Sequence, residues 1–252
     1  MKFDFTGKTA VLTGGARGIG ESAGKRFAEL GAKVALLDML EEEGRTAARA
    51  ITAAGGTARF HKTDVTDAAG VRRVIDAISA AWGKIDILVC CAGIVLTKPC
   101  MECTEADWDR VMGINAKGVF NCCHSALPGM MERRYGKIVN ISSIAAKTGG
   151  GFFGNLIYGA SKAAVIAYSK GIAREAGPFN VNVNVICPGP TDTPMLAGMS
   201  DDLRKATAES ILLKRLGNSE EIASVILFLA SDFSSFMTSE VLNVEGGIMK
   251  GN

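Results

Sequence analysis

Apolar residues fall along this chain in two alternating rhythms. Short continuous runs rich in Val, Ile, Leu and Ala cover residues 9–13, 34–38, 58–64, 85–90, 137–142, 181–187 and 241–244. Between them lie longer stretches whose apolar positions recur every three or four residues, the spacing of a helix with one buried face. Runs that are apolar throughout, without in-out alternation, are expected of strands covered on both faces by helices. Strand runs separated by helical ones predict parallel strands joined by crossover helices. The pattern therefore predicts an α/β protein: a doubly wound three-layer sandwich around a seven-stranded parallel sheet, each strand buried on both faces.

Helix starts are marked by capping residues. Asp67 is expected to cap a helix running through Ala81, Thr104 to form a capping arrangement with Asp107, and Ser219 to precede the acidic first turn of Glu220 and Glu221. Two stretches fit neither rhythm: the glycines at 149–151, and residues 188–213. Both are expected to border the substrate.

The 252 residues contain no linker-like composition, so one domain spanning 1–252 is expected. Lys and Arg (28) nearly balance Asp and Glu (26), and no basic block is present, which argues against nucleic acid or anionic lipid as a partner. No apolar run reaches signal-peptide or bilayer-spanning length, so the expected location is cytoplasmic, with no membrane association. The seven cysteines are an odd set, several in apolar runs, which suits reduced thiols rather than a disulfide framework.

The first strand runs into TGGARGIG, which places Gly14, Gly18 and Gly20, with Arg17 and Ile19 between them, at a sharp strand-to-helix turn. Helix N-terminal amides there can receive a pyrophosphate, and glycine lets the backbone approach it. The second strand ends at Asp38, eighteen residues past Gly20, near the spacing of a carboxylate that bonds the adenosine ribose hydroxyls. A 2'-phosphate about 4 Å from that carboxylate would cost about 1 to 4 kcal/mol, which favours NAD over NADP roughly tenfold or more. Arg17 pulls the other way, since a guanidinium could pair with the phosphate. Asp38, fixed at a strand end, is given more weight than a flexible arginine. Asp64 and Val65, ending the third strand, are an expected adenine contact, although an Asp at that place also suits a helix cap.

Tyr158-Gly-Ala-Ser-Lys162 sets a phenol and an ammonium four residues apart, on one face if the stretch is helical. A phenol of pKa near 10 is a poor base at neutral pH. One cation at about 4 Å and an effective dielectric of about 20 contributes about 4 kcal/mol, or roughly three pKa units. Lys162 is thus expected to bring Tyr158 toward neutrality, and an oxidised nicotinamide would add to the effect.

Taken in order, TGGARGIG, Asp38, Asn115, NISS, YGASK and PGPTDTPM resemble the short-chain dehydrogenase/reductase family over essentially the whole chain. The resemblance implies a Rossmann-type sandwich and a catalytic set of Asn115, Ser143, Tyr158 and Lys162. In it Ser143, the second serine of its pair, bonds the substrate carbonyl and Tyr158 exchanges the proton. Lys162 binds the nicotinamide ribose and Asn115 holds a proton-relay water. It also implies cofactor contacts through Cys91, Ala92 and Gly93, a nicotinamide pocket shaped by Pro188, Gly189 and Thr191, and Thr193 on the carboxamide or phosphates. Assembly as a homotetramer through long helices and the last strand is a further implication.

Three departures from the family pattern stand out. Cys90-Cys91 replaces a pair of asparagines, Ser143 and Tyr158 are fifteen residues apart, about two more than expected, and Thr191 stands where Val or Ile is common. Phe152, Phe153, Leu156, Ile157, Met195, Leu196 and Met199 suggest an apolar, adaptable substrate lining. With LLDMLEEEG, similar to NAD-linked hydroxysteroid dehydrogenases, they point to an alicyclic or steroid-like secondary alcohol or ketone. The alternatives are a 3-oxoacyl thioester reductase, a nucleotide-sensing protein without turnover, and a redox or metal module built on Cys100-Met-Glu-Cys103.

Overall fold

A computed structural model describes residues 3–151 and 153–249. In chain order the elements are β1 (Thr9–Thr13), α1 (Gly18–Glu29), β2 (Lys33–Asp38), α2 (Glu41–Ala53), β3 (Thr57–Lys62), α3 (Ala68–Trp82), β4 (Ile87–Cys90), α4 (Glu105–Met112), α5 (Gly118–Glu132), β5 (Gly136–Ile141) and α6 (Ala145–Thr148). They continue with α7 (Leu156–Ala176), β6 (Val181–Pro188), β7 (Thr191–Asp192), α8 (Asp201–Ser210), β8 (Gly217–Asn218), α9 (Ser219–Ala230) and β9 (Val241–Val244). Seven strands form one parallel sheet in the order β3-β2-β1-β4-β5-β6-β9. The fold is the Rossmann-like α/β sandwich that the rhythm of the sequence predicts.

Alternate residues of the central strands feed two separate cores. Ala10, Leu12, Val34, Leu36, Ile87 and Val89 pack with Phe27 of α1, Ile51 of α2 and Ile226 of α9. Val11, Ala35, Leu37, Leu88 and Cys90 face the other way, onto Ile75 of α3, Met130 of α5 and Val165 of α7. Burial on both faces explains why β1, β4 and β5 are mostly apolar and buried along their whole length.

The same reading does not extend to the sheet edges. β3 alternates exposed and half-buried positions over Thr57–Lys62, and β9 is only half-buried. An edge strand has a neighbour on one side only, and the helices that flank the sheet cover its rim incompletely.

Two caps also differ from expectation. Asp67 occupies the N-cap of α3 but makes no capping bond there; its carboxylate lies 3.5 Å from Arg73 instead. The cap of α9 is Asn218, one residue before Ser219, in a capping box with Glu221. Thr104 and Asp107 form the expected capping box at α4. Within the 188–213 stretch the chain is not irregular throughout: Ser200 caps α8, and β7 pairs with β8 in a two-residue ladder. No helix among the described residues is long and apolar enough to cross a membrane. All seven cysteines are free thiols; Cys90, Cys122, Cys123 and Cys187 are buried, and Cys100 is exposed.

Candidate active site

The strand order reverses between β1 and β4, because β2 and β3 lie on one side of β1 while β4, β5 and β6 lie on the other. Connections leave such a switch point in opposite directions and open a crevice at the carboxyl ends of the strands. A cleft of about 1040 Å³ lies there. It is lined by Gly14, Arg17, Gly18, Ile19 and Gly20, by Asp38, by Asp64 and Val65, by Cys91, Ala92 and Gly93, and by Thr193.

Close-packed backbone shapes the β1–α1 wall of this cleft. Gly14 has φ of 64°, and a Cβ there would stand 2.7 Å from the Ala92 amide nitrogen. A Cβ on Gly20 would overlap the Gly14 carbonyl oxygen. Only glycine allows the β1–α1 turn to lie this close to the end of β4. Asp38 is fixed by two backbone amides: Ala16 N donates to Oδ2 and Leu40 N to Oδ1, both at 3.1 Å. Asp64 turns out to brace its own turn, accepting from the Thr66 amide and hydroxyl at 2.8 Å, while still lining the cleft. A dinucleotide fits what is present: a cradle that a Cβ at Gly14 or Gly20 would fill, an oriented carboxylate at the β2 end, and a cleft of about 1040 Å³.

Beside this cleft, sharing Ile19, Cys91, Val95, Thr193 and Met195 with it, lies a half-open cavity of about 150 Å³. Ser143, Tyr158, Lys162, Pro188, Gly189 and Thr191 line it. Ser143 follows the end of β5, whereas Tyr158 and Lys162 come from the first turns of α7. Asn155 begins that helix; its Oδ1 accepts from the amides of Ile157 (3.1 Å) and Tyr158 (3.2 Å).

The two adjacent serines are separated by their partners. Ser142 Oγ is buried and donates to the Lys162 carbonyl at 2.7 Å. The Ser143 hydroxyl instead accepts from Ala145 N at 3.1 Å and faces the Tyr158 phenol across the cavity, near enough to favour its ionised form. Lys162 Nζ donates to the Ile141 carbonyl at 2.9 Å and sits 5.9 Å from the Tyr158 ring centre.

Electrostatics here depart from the sequence expectation. Burial pushes the Tyr158 phenol above its usual value, opposed by the nearby Ser143 hydroxyl. Lys162 does not offset this. Its ammonium is held on the Ile141 carbonyl, and its own pKa falls to about 8 through burial. The expected lowering assumed a close cation in a surface-like dielectric, whereas both groups sit where charge is poorly solvated. Cys91, half-buried beside this lysine, is pushed up to about 12 by burial, with the lysine charge opposing.

Asn115 lies in a π-helical turn, Gly113–Lys117, between α4 and α5. It is fully buried; Oδ1 accepts from Ile94 N (2.8 Å) while Nδ2 donates to the Ile94 carbonyl and to Ser161 Oγ, both at 2.9 Å. The turn thereby pins the segment after Gly93, where an added Cβ would come within 3.3 Å of Lys162 Nζ.

Among the residues expected to line the substrate, Phe153, Met195, Leu196 and Met199 do so. Leu156 and Ile157 do not: α7 begins at Leu156, and its turn leaves Leu156 exposed and Ile157 buried away from the face that carries Tyr158. Phe152 lies outside the described residues. Gly151 and Gly154 of the lengthened loop border the cavity as well. Sequence reasoning missed Ser161, Ile94 and Asn155. Asparagine three residues before Tyr158 is a helix-cap signal that could have identified the last of these. The π-helical turn has no comparable signature.

Comparison with known proteins agrees with this geometry. Residues 14–249 match a family model described as "Enoyl-(Acyl carrier protein) reductase". The chain is 38% identical to 3-oxoacyl-[acyl-carrier-protein] reductase FabG of Chlamydia pneumoniae, over 98% of this chain and 99% of that one. It is 36% identical to the Escherichia coli protein of the same name, over 97% and 98%. Among solved structures it is similar to a short-chain type dehydrogenase/reductase from Mycobacterium ulcerans, with TM-score 0.93 and 32% identity over 98% of this chain and 91% of that one. A 3-oxoacyl-[acyl-carrier protein] reductase from Brucella melitensis matches with TM-score 0.90 and 33% identity, over 97% and 92%. With a nicotinamide-type cleft opening onto a Ser-Tyr-Lys cavity, and relatives matching from end to end, the chain belongs to the short-chain dehydrogenase/reductase family of oxidoreductases.

Proposed function

We propose that the chain is an NAD-linked reductase of 3-oxoacyl thioesters, interconverting a 3-oxo group and a secondary alcohol. In this reading residues 1–252 act as one domain, in the cytoplasm and as a homotetramer. The observation that carries the substrate reading is the cavity. At about 150 Å³ it admits a carbonyl on a slim acyl chain. Pockets for compact drug-sized ligands, a class that includes steroids, begin at about 300 Å³. Together with the names of the relatives, among them 3-oxoacyl-[acyl-carrier-protein] reductases, this favours the acyl reading over the steroid-like one.

NAD is favoured because Asp38 presents a carboxylate already oriented by two amides at the end of β2. A ribose diol can donate to it, whereas a 2'-phosphate would be repelled. Gly14, Arg17, Gly18, Ile19 and Gly20 would hold the pyrophosphate, Asp64 and Val65 the adenine, and the backbone of Cys91, Ala92 and Gly93 the central part. Pro188, Gly189, Thr191 and Thr193, with Tyr158 and Lys162, would hold the nicotinamide riboside. When bound, the cofactor supplies or accepts the hydride.

The chain's own residues handle the proton. Burial keeps the Tyr158 phenol protonated at neutral pH, which suits it to donate to a ketone oxygen. Ser143, facing that phenol across the cavity, donates to the same oxygen and orients it. Lys162, still mostly charged at pH 7, stabilises the phenolate that remains. Asn115 has committed its amide to Ile94 and Ser161, so a relay water at this place would be held by the main chain of the π-helical turn.

The test is steady-state reduction of acetoacetyl thioesters, against cyclic and steroid ketones, with NADH and NADPH. Thioester turnover with NADH preferred at least about tenfold is expected, and Asp38→Ser should remove most of that preference. Turnover of steroid ketones alone would overturn the substrate reading. NADH binding with no carbonyl reduced would favour a nucleotide sensor.

A further inference from the structure

We propose that Cys100 and Cys103 are a redox-active dithiol that closes to a disulfide by exchange with low-molecular-weight disulfides. Closure withdraws a hydrogen-bond partner from Asn155, the positioning residue at the start of the Tyr158 helix. The Cys100–Glu102 segment is a single 3-10 turn in which Cys103 N donates to the Cys100 carbonyl at 3.1 Å. Such a turn keeps the first and fourth Cα atoms within about 7 Å, close to the roughly 4.4 to 6.8 Å span of disulfides. Cys100 is exposed and able to meet a solute; Cys103, half-buried, is placed to resolve. No group of three or more His, Cys, Asp or Glu side chains that could hold a metal assembles among the described residues.

The sulfur of Cys103 is coupled to the catalytic helix. It accepts from Asn155 Nδ2 at 3.2 Å and donates toward the Pro99 carbonyl at 3.3 Å and the Lys98 carbonyl at 3.7 Å. Asn155 also donates to the Lys98 carbonyl (2.8 Å), and its backbone amide donates to the Leu96 carbonyl (2.7 Å). The opposite end of the same side chain receives the amides of Ile157 and Tyr158. The turn is anchored on both flanks, by Lys98 to Asp107 at 2.8 Å and by the Thr104–Asp107 capping box. A change inside it is therefore passed to Asn155 rather than absorbed by the loop.

In the reaction, the Cys100 thiolate attacks a small disulfide RSSR and expels one thiol. Cys103 then attacks the mixed disulfide, forms the Cys100–Cys103 bond and expels the second. The dithiol loses two electrons and two protons, and RSSR becomes two RSH. Afterwards the Cys103 sulfur carries no hydrogen, so it no longer donates to the Pro99 and Lys98 carbonyls, and its turn toward Cys100 takes it away from Asn155 Nδ2. A short, exposed loop is the setting in which labile, regulatory disulfides are found.

The experiment treats the full-length protein with oxidised or reduced glutathione and maps disulfides by mass spectrometry. Amide hydrogen exchange at Ile157 and Tyr158, and kcat and KM, are then measured. Expected are a Cys100–Cys103 bond, faster exchange at those two amides, and kcat lower by about threefold to tenfold with the KM for NADH unchanged, all reversed by a dithiol reductant. Cys100→Ser should keep the basal kcat and lose the response. Asn155→Ser, which can still cap the helix but lacks the amide donor, should form the disulfide with no difference in kcat between its own oxidised and reduced forms. The kcat readout rests on the reductase reading; the mapping and exchange readouts need no substrate and stand without it. A stable mixed disulfide on Cys100, a disulfide with unchanged exchange, or inactivation that persists in Cys100→Ser would each overturn the proposal.

Discussion

The two halves of the site are built from different materials. At the cofactor end, the β1–α1 turn approaches β4 mainly through main chain, tied by Ala92 N donating to Thr13 Oγ1 at 3.2 Å, with Gly14 and Gly20 supplying room by what they lack. At the catalytic end, Ser143, Tyr158, Lys162, Asn115 and Asn155 are side chains with specific partners. A surface made of backbone tolerates changes of side chain but not an added Cβ. A centre made of side chains tolerates neither. This difference explains how Cys90-Cys91 can replace two asparagines while the cleft keeps its form: Cys91 lies on the cleft beside Ala92 and Gly93, whose amides are unaffected by the exchange.

The sharpest test removes one atom from the side-chain half. Tyr158→Phe leaves the helix and cavity in place and deletes the proton. Its kcat should fall by about 10³-fold or more, with NADH affinity by fluorescence within about threefold of the parent. A comparable loss in both quantities would mean the tyrosine serves binding as much as chemistry. The corresponding change in the backbone half adds one atom. Gly20→Ala should weaken NADH binding by about 10²-fold, because the new methyl would meet the Gly14 carbonyl and displace the turn. Its kcat at saturating cofactor should change far less.

Lys162 connects the halves, and it carries a stability cost. Its pKa falls to about 8 in the fold from 10.5, so between those values the unfolded chain binds more protons than the folded one. Stability from this group therefore rises with pH from about 8 to about 10.5. Lys162→Met removes the buried charge along with the bond to Ile141. It should melt a few degrees higher than the parent at pH 7, with the gap closing toward pH 10, while losing most of its turnover. A lower melting point for the variant at pH 7 would show that the hydrogen bond outweighs the desolvation. The smallest effect belongs to Cys91→Asn, which restores the polar residue common in the family. NADH binding should shift by less than about threefold if the contact there runs through backbone, and a larger shift would break the comparison.

Much of the architecture could be read from the sequence. Continuous burial of β1, β4 and β5 follows from their composition, and glycines at 14, 18 and 20 are explained by the turn that needs them. Legibility failed where the environment, not the residue, is decisive. The pattern of β3 predicts a buried strand, yet half of its positions see solvent because it ends the sheet. Leu156 and Ile157 are apolar neighbours of the tyrosine in sequence, but the helical turn carries them off its face.

By itself, the sequence determined the order of strands and helices, the phosphate-type turn and the Tyr158–Lys162 pair, since each depends on local spacing along the chain. Only the tertiary structure decided the protonation of that pair, because burial raises the phenol and lowers the ammonium whatever their separation in sequence. It also decided which serine meets the tyrosine, how narrow the substrate cavity is, and that Cys103 lies against the cap of the catalytic helix. These properties arise from groups far apart in the chain, whose distances and solvation exist only once the sheet has closed around them.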